Sequence, residues 1–318
     1  MALDEATAAL LAQMAEMGVK PLHEMSPQEA REFVANMRPQ PAAVPEMAKV
    51  KERRVRVTGG AIPVRVLVPG EQPKGVIVWY HGGGWVVGSI QDCDLLGRRL
   101  AERTDCAVVL VDYRLAPEYR FPTAVDDSYA ALCWVERHIE EIAGQRVPII
   151  VAGDSAGGNL SAVMALKSRD LKGPEIEMQV LVYPVTDCDF DTVSYLDPEN
   201  ALMLSRDAMR WFWDHYAPDP VGRANPDASP LRVPDTSNLP PAVVITAEHD
   251  VLRAEGEIYA TRMVKSGVPV EHQRFKGQMH GFFTMVDLLP GSEAGINYVV
   301  DAIRRRLAGA EKKVPAGV

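Results

Sequence analysis

Pro148-Ile149-Ile150-Val151-Ala152-Gly153-Asp154-Ser155-Ala156-Gly157 reads as a short apolar strand, a sharp turn and the first residues of a helix. An apolar run of this length suits a strand buried on both faces. A serine framed by two glycines at its end suits a strand-to-helix turn so tight that the serine takes a strained backbone and its hydroxyl stands above the sheet. A Cβ at either glycine would collide across such a turn. Ser155 is therefore the candidate nucleophile. The pentapeptide alone would arise by chance in roughly one chain in ten of this length, so its flanks carry the reading.

A second glycine-rich segment, His81-Gly82-Gly83-Gly84-Trp85, directly follows another apolar run, Gly75-Val76-Ile77-Val78-Trp79-Tyr80. Consecutive glycines at a strand's carboxyl end leave backbone N–H groups unshielded, and such donors can converge on a developing oxyanion. A serine hydroxyl also needs a general base, and the base needs an orienting group. Of the seven histidines, His280 fits best. It follows the candidate strand Val268 to Phe275 and sits among glycines in Gly277-Gln278-Met279-His280-Gly281-Phe282, a setting that predicts an exposed loop tip. His272 lies inside that strand and reads as a packing or surface residue. For the acid, the buried run Pro241 to Ala247 ends in Glu248-His249-Asp250, ahead of a helix beginning near Arg253. Asp250 is the chosen carboxylate, with Glu248 and His249 as its immediate rivals. Asp187, after the run Val180 to Val185, is another rival, from the preceding strand end.

Four separated segments together resemble the hormone-sensitive-lipase group of bacterial carboxylesterases, on the α/β-hydrolase fold. They are His81 to Trp85; Asp112-Tyr113-Arg114-Leu115-Ala116-Pro117-Glu118 with Phe121-Pro122; Gly153 to Asn159; and Asp250-Val251-Leu252-Arg253 with His280-Gly281-Phe282. The resemblance spans roughly residues 50 to 310. It implies a mostly parallel central sheet with helices on both faces and a helical cap. It also implies a catalytic triad of Ser155, Asp250 and His280, and an oxyanion hole formed by the N–H groups of Gly83, Gly84 and Ala156. The family often writes its acid loop as D-P-L-x-D-E-G, whereas Asp250 to Gly256 here lacks the proline and the second aspartate, so Ala254 and Glu255 are given no role. The implied activity is hydrolysis of short-to-medium acyl esters through an acyl-enzyme, without cofactor or metal. Amide deacylation or lactone opening would use the same chemistry, and a non-catalytic small-molecule receptor is the more distant alternative.

Periodicity agrees with that architecture. Apolar runs at 75–80, 107–112, 148–152, 178–183 and 242–247 alternate with stretches long enough for crossover helices. Arg54 to Leu67 alternates around Gly59-Gly60 as an antiparallel hairpin. In residues 1–50, Leu3, Leu10, Leu11, Met14 and Met17 keep helical spacing, and Ser26-Pro27-Gln28-Glu29 is a capping-box start leading into Phe33, Val34 and Met37. By the resemblance these helices join an insertion at about 186–216, rich in Met203, Met209, Trp211, Phe212 and Trp213, to form the cap over a catalytic domain of residues 51–318.

With 47% hydrophobic residues in 318 positions, the chain can bury a large core without disulfides or metals. Cys93, Cys106, Cys133 and Cys188 show no metal-binding spacing, so reduced thiols are expected. A formal net charge of −9 disfavours nucleic acid and anionic membranes as partners. Asp4 and Glu5 occupy the place where a signal peptide would carry positive charge, and no apolar run reaches the roughly 18 residues of a membrane span. The expected setting is cytoplasmic, with a small-molecule ester as partner and a monomer or homodimer as the assembly. Arg304-Arg305-Arg306 reads as the solvated end of a last helix.

Overall fold

The computed structural model describes residues 2–38 and 43–311. Positions 39–42 and 312–318, which belong to the two predicted segments, lie outside the described residues, as does residue 1. The strands are β1 (Lys49–Val57), β2 (Gly60–Val68), β3 (Val76–Tyr80), β4 (Ala107–Val111), β5 (Ile149–Asp154), β6 (Met178–Val182), β7 (Ala242–His249) and β8 (Val270–Met279). They form one sheet in the order β1-β2-β4-β3-β5-β6-β7-β8. β1 pairs antiparallel with β2, and β2 with β4; from β4 to β8 every pairing is parallel.

The helices are α1 (Glu5–Glu16), α2 (Pro27–Asn36), α3 (Ile90–Thr104), α4 (Thr123–Arg137), α5 (Ile139–Ala143), α6 (Ala156–Leu171), α7 (Val193–Leu196), α8 (Arg206–Tyr216), α9 (Pro220–Ala224), α10 (Arg253–Lys265) and α11 (Pro290–Glu311). The central strands are buried from end to end, which is why their sequences read as continuous Val/Ile runs rather than as alternation. The alternation shows in what each residue meets. Val76, Val78 and Tyr80 point into a core that includes α4 and part of α6. Ile77 and Trp79 point into an opposite core built with α3 and α11. Each aliphatic side chain moved out of water this way contributes about 1.5–3 kcal/mol.

The N-terminal helices start where the capping residues predict. Asp4 caps α1 by accepting from Ala6 N and Thr7 N, both at 3.1 Å. Ser26 and Glu29 form a reciprocal capping box on α2. Leu10 and Leu11 pack on the α3/α11 core, while Leu22, Phe33 and Val34 pack on the other. Met17 and Met37 depart from the expected apolar faces and are exposed, because each lies one residue past the last turn of its helix. Arg305 and Arg306 also depart from expectation. α11 continues to Glu311, so they lie within the helix, paired with Glu271 and Glu177 at 2.6 Å each. The stretch predicted as an insertion holds α7 and α8. Among the described residues no helix is long and apolar enough to cross a membrane.

Candidate active site

Ser155 sits between β5 and α6 with φ 55° and ψ −118°, a conformation that costs a non-glycine residue roughly 1–3 kcal/mol. The surroundings hold it there. Ser155 N–H donates to Val182 O at 2.8 Å, and Ser155 O accepts from Asn159 N at 3.0 Å and Val185 N at 3.2 Å. A Cβ added at Gly157 would lie 1.9 Å from Tyr80 O, and one at Gly153 would lie 2.4 Å from Gly157 O. Both obstacles are backbone, so the two glycines are what lets β5, β3 and α6 meet at this corner.

Asp250 follows β7 directly and is fully buried. One carboxylate oxygen accepts from Leu252 N at 2.9 Å; the other lies 2.8 Å from His280 Nδ1. A carboxylate only accepts, so Nδ1 carries the proton. Nε2 is then bare and accepts from Ser155 Oγ at 3.1 Å. The three side chains thus form one hydrogen-bonded chain from hydroxyl to carboxylate, drawn from positions 95 and 30 residues apart along the sequence. The predicted rivals are engaged elsewhere. Glu248 accepts from Gly277 N at 2.8 Å, Asp187 pairs with Arg232 at 2.5 Å, His249 is buried beside Glu248, and His272 meets Thr246 Oγ1 at 3.0 Å. The exposed loop tip expected for His280 is corrected: its side chain is only 13% exposed, because Tyr183 lies over the ring with centroids 4.6 Å apart.

Backbone amides are presented beside this chain. His81 Nδ1 lies 2.7 Å from Gly82 O, and since a carbonyl only accepts, that nitrogen donates. Burial pushes the His81 pKa below its usual value and favours the neutral ring, while the Nδ1–H donor to Gly82 O is present in either protonation state. Gly83 O accepts from Val86 N at 3.0 Å and Val87 N at 2.9 Å. In a planar trans peptide the next N–H points away from the preceding carbonyl, so these bonds turn the Gly83 and Gly84 N–H groups to the other side of the loop. Among the described residues no acceptor takes those two N–H groups, nor that of Ala156 in the first turn of α6. Gly84 has φ 57°, and a Cβ there would lie 2.2 Å from the Phe212 ring.

His81, the three glycines, Ser155 and His280 share a cavity of about 280 Å³ with Leu22 and Val34 of the N-terminal segment and Met203, Leu204, Met209 and Phe212 from the stretch between β6 and β7. Sequence reasoning missed Leu22, Leu204, Thr284 and Met285 as lining residues, since nothing in their local pattern marks them. It also passed over Asp154, which lines the cavity, accepts from Gly82 N at 3.0 Å and has its pKa pushed up to about 6 by burial. The available signal was a carboxylate ending an otherwise apolar strand. Glu255 is likewise buried, with its pKa raised well above the usual range by desolvation, while its carboxylate accepts from Thr186 N and Asp187 N.

With the site in view, the kinship of the chain is plain. Residues 77–284 match the family model described as the alpha/beta hydrolase fold. Carboxylesterase NlhH of Mycobacterium tuberculosis is 38% identical over 290 residues, covering 87% of this chain and 89% of that one. An ethyl acetate hydrolase of Pseudomonas putida is 32% identical, covering 96% and 100%. The solved structure of a hyperthermophilic esterase from the archaeon Pyrobaculum calidifontis superposes with a TM-score of 0.87 at 36% identity, covering 96% and 99%. The chain belongs to the alpha/beta hydrolase fold family. Within it, the chain is of the carboxylesterase type that resembles hormone-sensitive lipase.

Proposed function

We propose that this protein hydrolyses short-to-medium acyl esters with Ser155 as nucleophile, His280 as general base and acid, and Asp250 as orienting carboxylate. The observation that carries the reading is the unbroken chain Ser155 Oγ–His280 Nε2 at 3.1 Å and His280 Nδ1–Asp250 Oδ2 at 2.8 Å. His280 takes the Ser155 proton as Oγ bonds to the ester carbonyl carbon, and the carbonyl oxygen becomes an oxyanion. The Gly83, Gly84 and Ala156 N–H groups are the proposed donors to that oxyanion. Collapse breaks the bond to the alkoxide, which leaves with the proton from His280. Water then gives its proton to His280 as it attacks the acyl carbon, and Ser155 recovers a proton as the acid is released.

Residues of the first fifty and of the stretch around 186–216 line the same cavity as Ser155 and His280, which supports their reading as a cap. A volume of about 280 Å³ lies near the lower bound of roughly 300 Å³ for sites that enclose drug-sized ligands, and favours compact acyl groups. The name of the Pseudomonas relative, an ethyl acetate hydrolase, points the same way. The test is hydrolysis of a p-nitrophenyl ester series by the purified protein and by Ser155→Ala. Activity is expected to peak at short chains and to fall by about 10⁶-fold in the variant; comparable activity in the variant would remove Ser155 from the role.

A further inference from the structure

Arg31 projects from α2 onto the segment that follows the glycine run. Its Nε donates to Val86 O at 2.8 Å and its Nη2 to Ala116 O at 2.7 Å, while Nη1 and Nη2 form a fork on the Glu118 carboxylate at 2.8 and 2.6 Å. A planar guanidinium can make these four hydrogen bonds at once, one more than the three N–H donors of a lysine ammonium allow. The ion pair is partly exposed, with Glu118 at 54%, and such pairs contribute little to stability by themselves. The two carbonyl bonds are the distinctive part. The Arg31 hydrogen bond holds the Glu118 carboxyl down to about 2, so the fork stays ionised through the neutral range.

Both carbonyls belong to residues tied by hydrogen bonds to the oxyanion loop. Val86 O shares its peptide plane with Val87 N–H, which donates to Gly83 O at 2.9 Å, a bond that turns the Gly84 N–H to the opposite side of its own peptide plane. Ala116 N–H donates to Trp85 O at 2.8 Å, and Trp85 stands next to Gly84. Holding residues 86 and 116 from α2 therefore restrains the glycine amides from outside the sheet. We propose that Arg31 is a positioning residue that holds the Gly83 and Gly84 amides at the angle an oxyanion needs, so that seating of the N-terminal helix governs turnover as well as substrate fit. This rests on the ester-hydrolase reading given above.

The experiment uses the full chain with Arg31→Met and Arg31→Lys. Three quantities are measured: kcat and KM on p-nitrophenyl acetate; the affinity for a trifluoromethyl ketone, whose serine adduct carries an oxyanion; and the fraction of protein that a fluorophosphonate labels at completion. Arg31→Met is expected to lower kcat by about 10- to 100-fold, the scale of a displaced oxyanion donor, with the ketone affinity falling by the same factor. KM should stay within about 3-fold, the labelled fraction should be unchanged, and Arg31→Lys should recover part of both losses. A higher KM at unchanged kcat, or a kcat loss with the ketone affinity intact, overturns the proposal. If Arg31→Met fails to fold by circular dichroism, Arg31→Lys carries the same comparison: parallel losses support the proposal, and divergent ones overturn it. Failure of the underlying reading would show separately, as native protein that the fluorophosphonate does not label or as an active Ser155→Ala.

Discussion

The turn that carries Ser155 and the loop that presents the glycine amides lie in one cavity, yet they are held in different ways. The Ser155 turn is confined by backbone on every side: Val182 O takes its N–H, and Tyr80 O and Gly157 O leave no room for a Cβ at either flanking glycine. The loop from His81 to Val87 is held largely by side chains from distant parts of the chain: Arg31 on Val86 O, Asp154 on Gly82 N, the Phe212 ring against Gly84, and Tyr216 stacked on Trp85 with centroids 4.0 Å apart. The proposed nucleophile is mounted by local chain geometry, whereas the three glycines of the proposed anion-binding loop have no side chains of their own and depend on neighbours inside the loop, such as His81 on Gly82 O, and on residues far along the chain.

After Ser155→Ala, the largest expected effect tests whether position or charge matters more in the rigid half. Asp250→Asn keeps the shape of a fully buried side chain but favours the wrong imidazole tautomer, and kcat should fall by about 10⁴-fold with little change in KM. Retention of most activity would mean that another carboxylate orients His280. Next comes a direct contrast of the two regions. Gly157→Ala drives a Cβ against the Tyr80 carbonyl, which cannot yield without moving β3, and should cost roughly 3 kcal/mol or more in stability by thermal melting. Gly84→Ala meets first the Phe212 ring, a side chain rather than backbone, and adds the strain of φ 57°, so the melting loss should be smaller than for Gly157→Ala while kcat drops by about 10²-fold. Equal melting losses in the two variants would erase the distinction.

A smaller effect concerns pH. Burial raises the Asp154 pKa from its ordinary 3.8 to about 6, so between those values the folded protein keeps a proton that the unfolded chain releases. Stability from this group is therefore lost as pH rises through that window. Asp154→Asn does not titrate, so the melting temperature of the variant relative to the native protein should climb between about pH 4 and pH 6 and then level off. Scanning calorimetry in steps across that range checks it, and a constant difference would show that Asp154 is not the group. The smallest effect is expected far from both regions. Arg305→Ala removes a pair with Glu271 in which both side chains are about half exposed, and should change stability by about 0–1 kcal/mol without altering turnover.

Sequence patterns led directly to the parts of the molecule whose support is local. Ser155, the β5 and β7 runs, the capping box at Ser26 and the start of α10 at Arg253 were readable because apolar runs, glycine placement and cap chemistry act within a few residues. Met17 and Met37 were misplaced, because helix spacing extends past a helix end as easily as within it. The shielding of His280 by Tyr183 was hidden because residues 183 and 280 meet only through the sheet.

By itself, then, the amino-acid order determined the alternation of strands and helices, the serine turn and the donor-rich glycine run, all consequences of backbone sterics and of short-range burial. The hydrogen-bonded meeting of Ser155, Asp250 and His280, the raised pKa of Asp154 and the grip of Arg31 on Val86 were decided by the tertiary structure alone. Each depends on distance, desolvation or a shared plane between residues remote in sequence, and chain order carries no record of those quantities until the sheet and its covering helices bring the residues together.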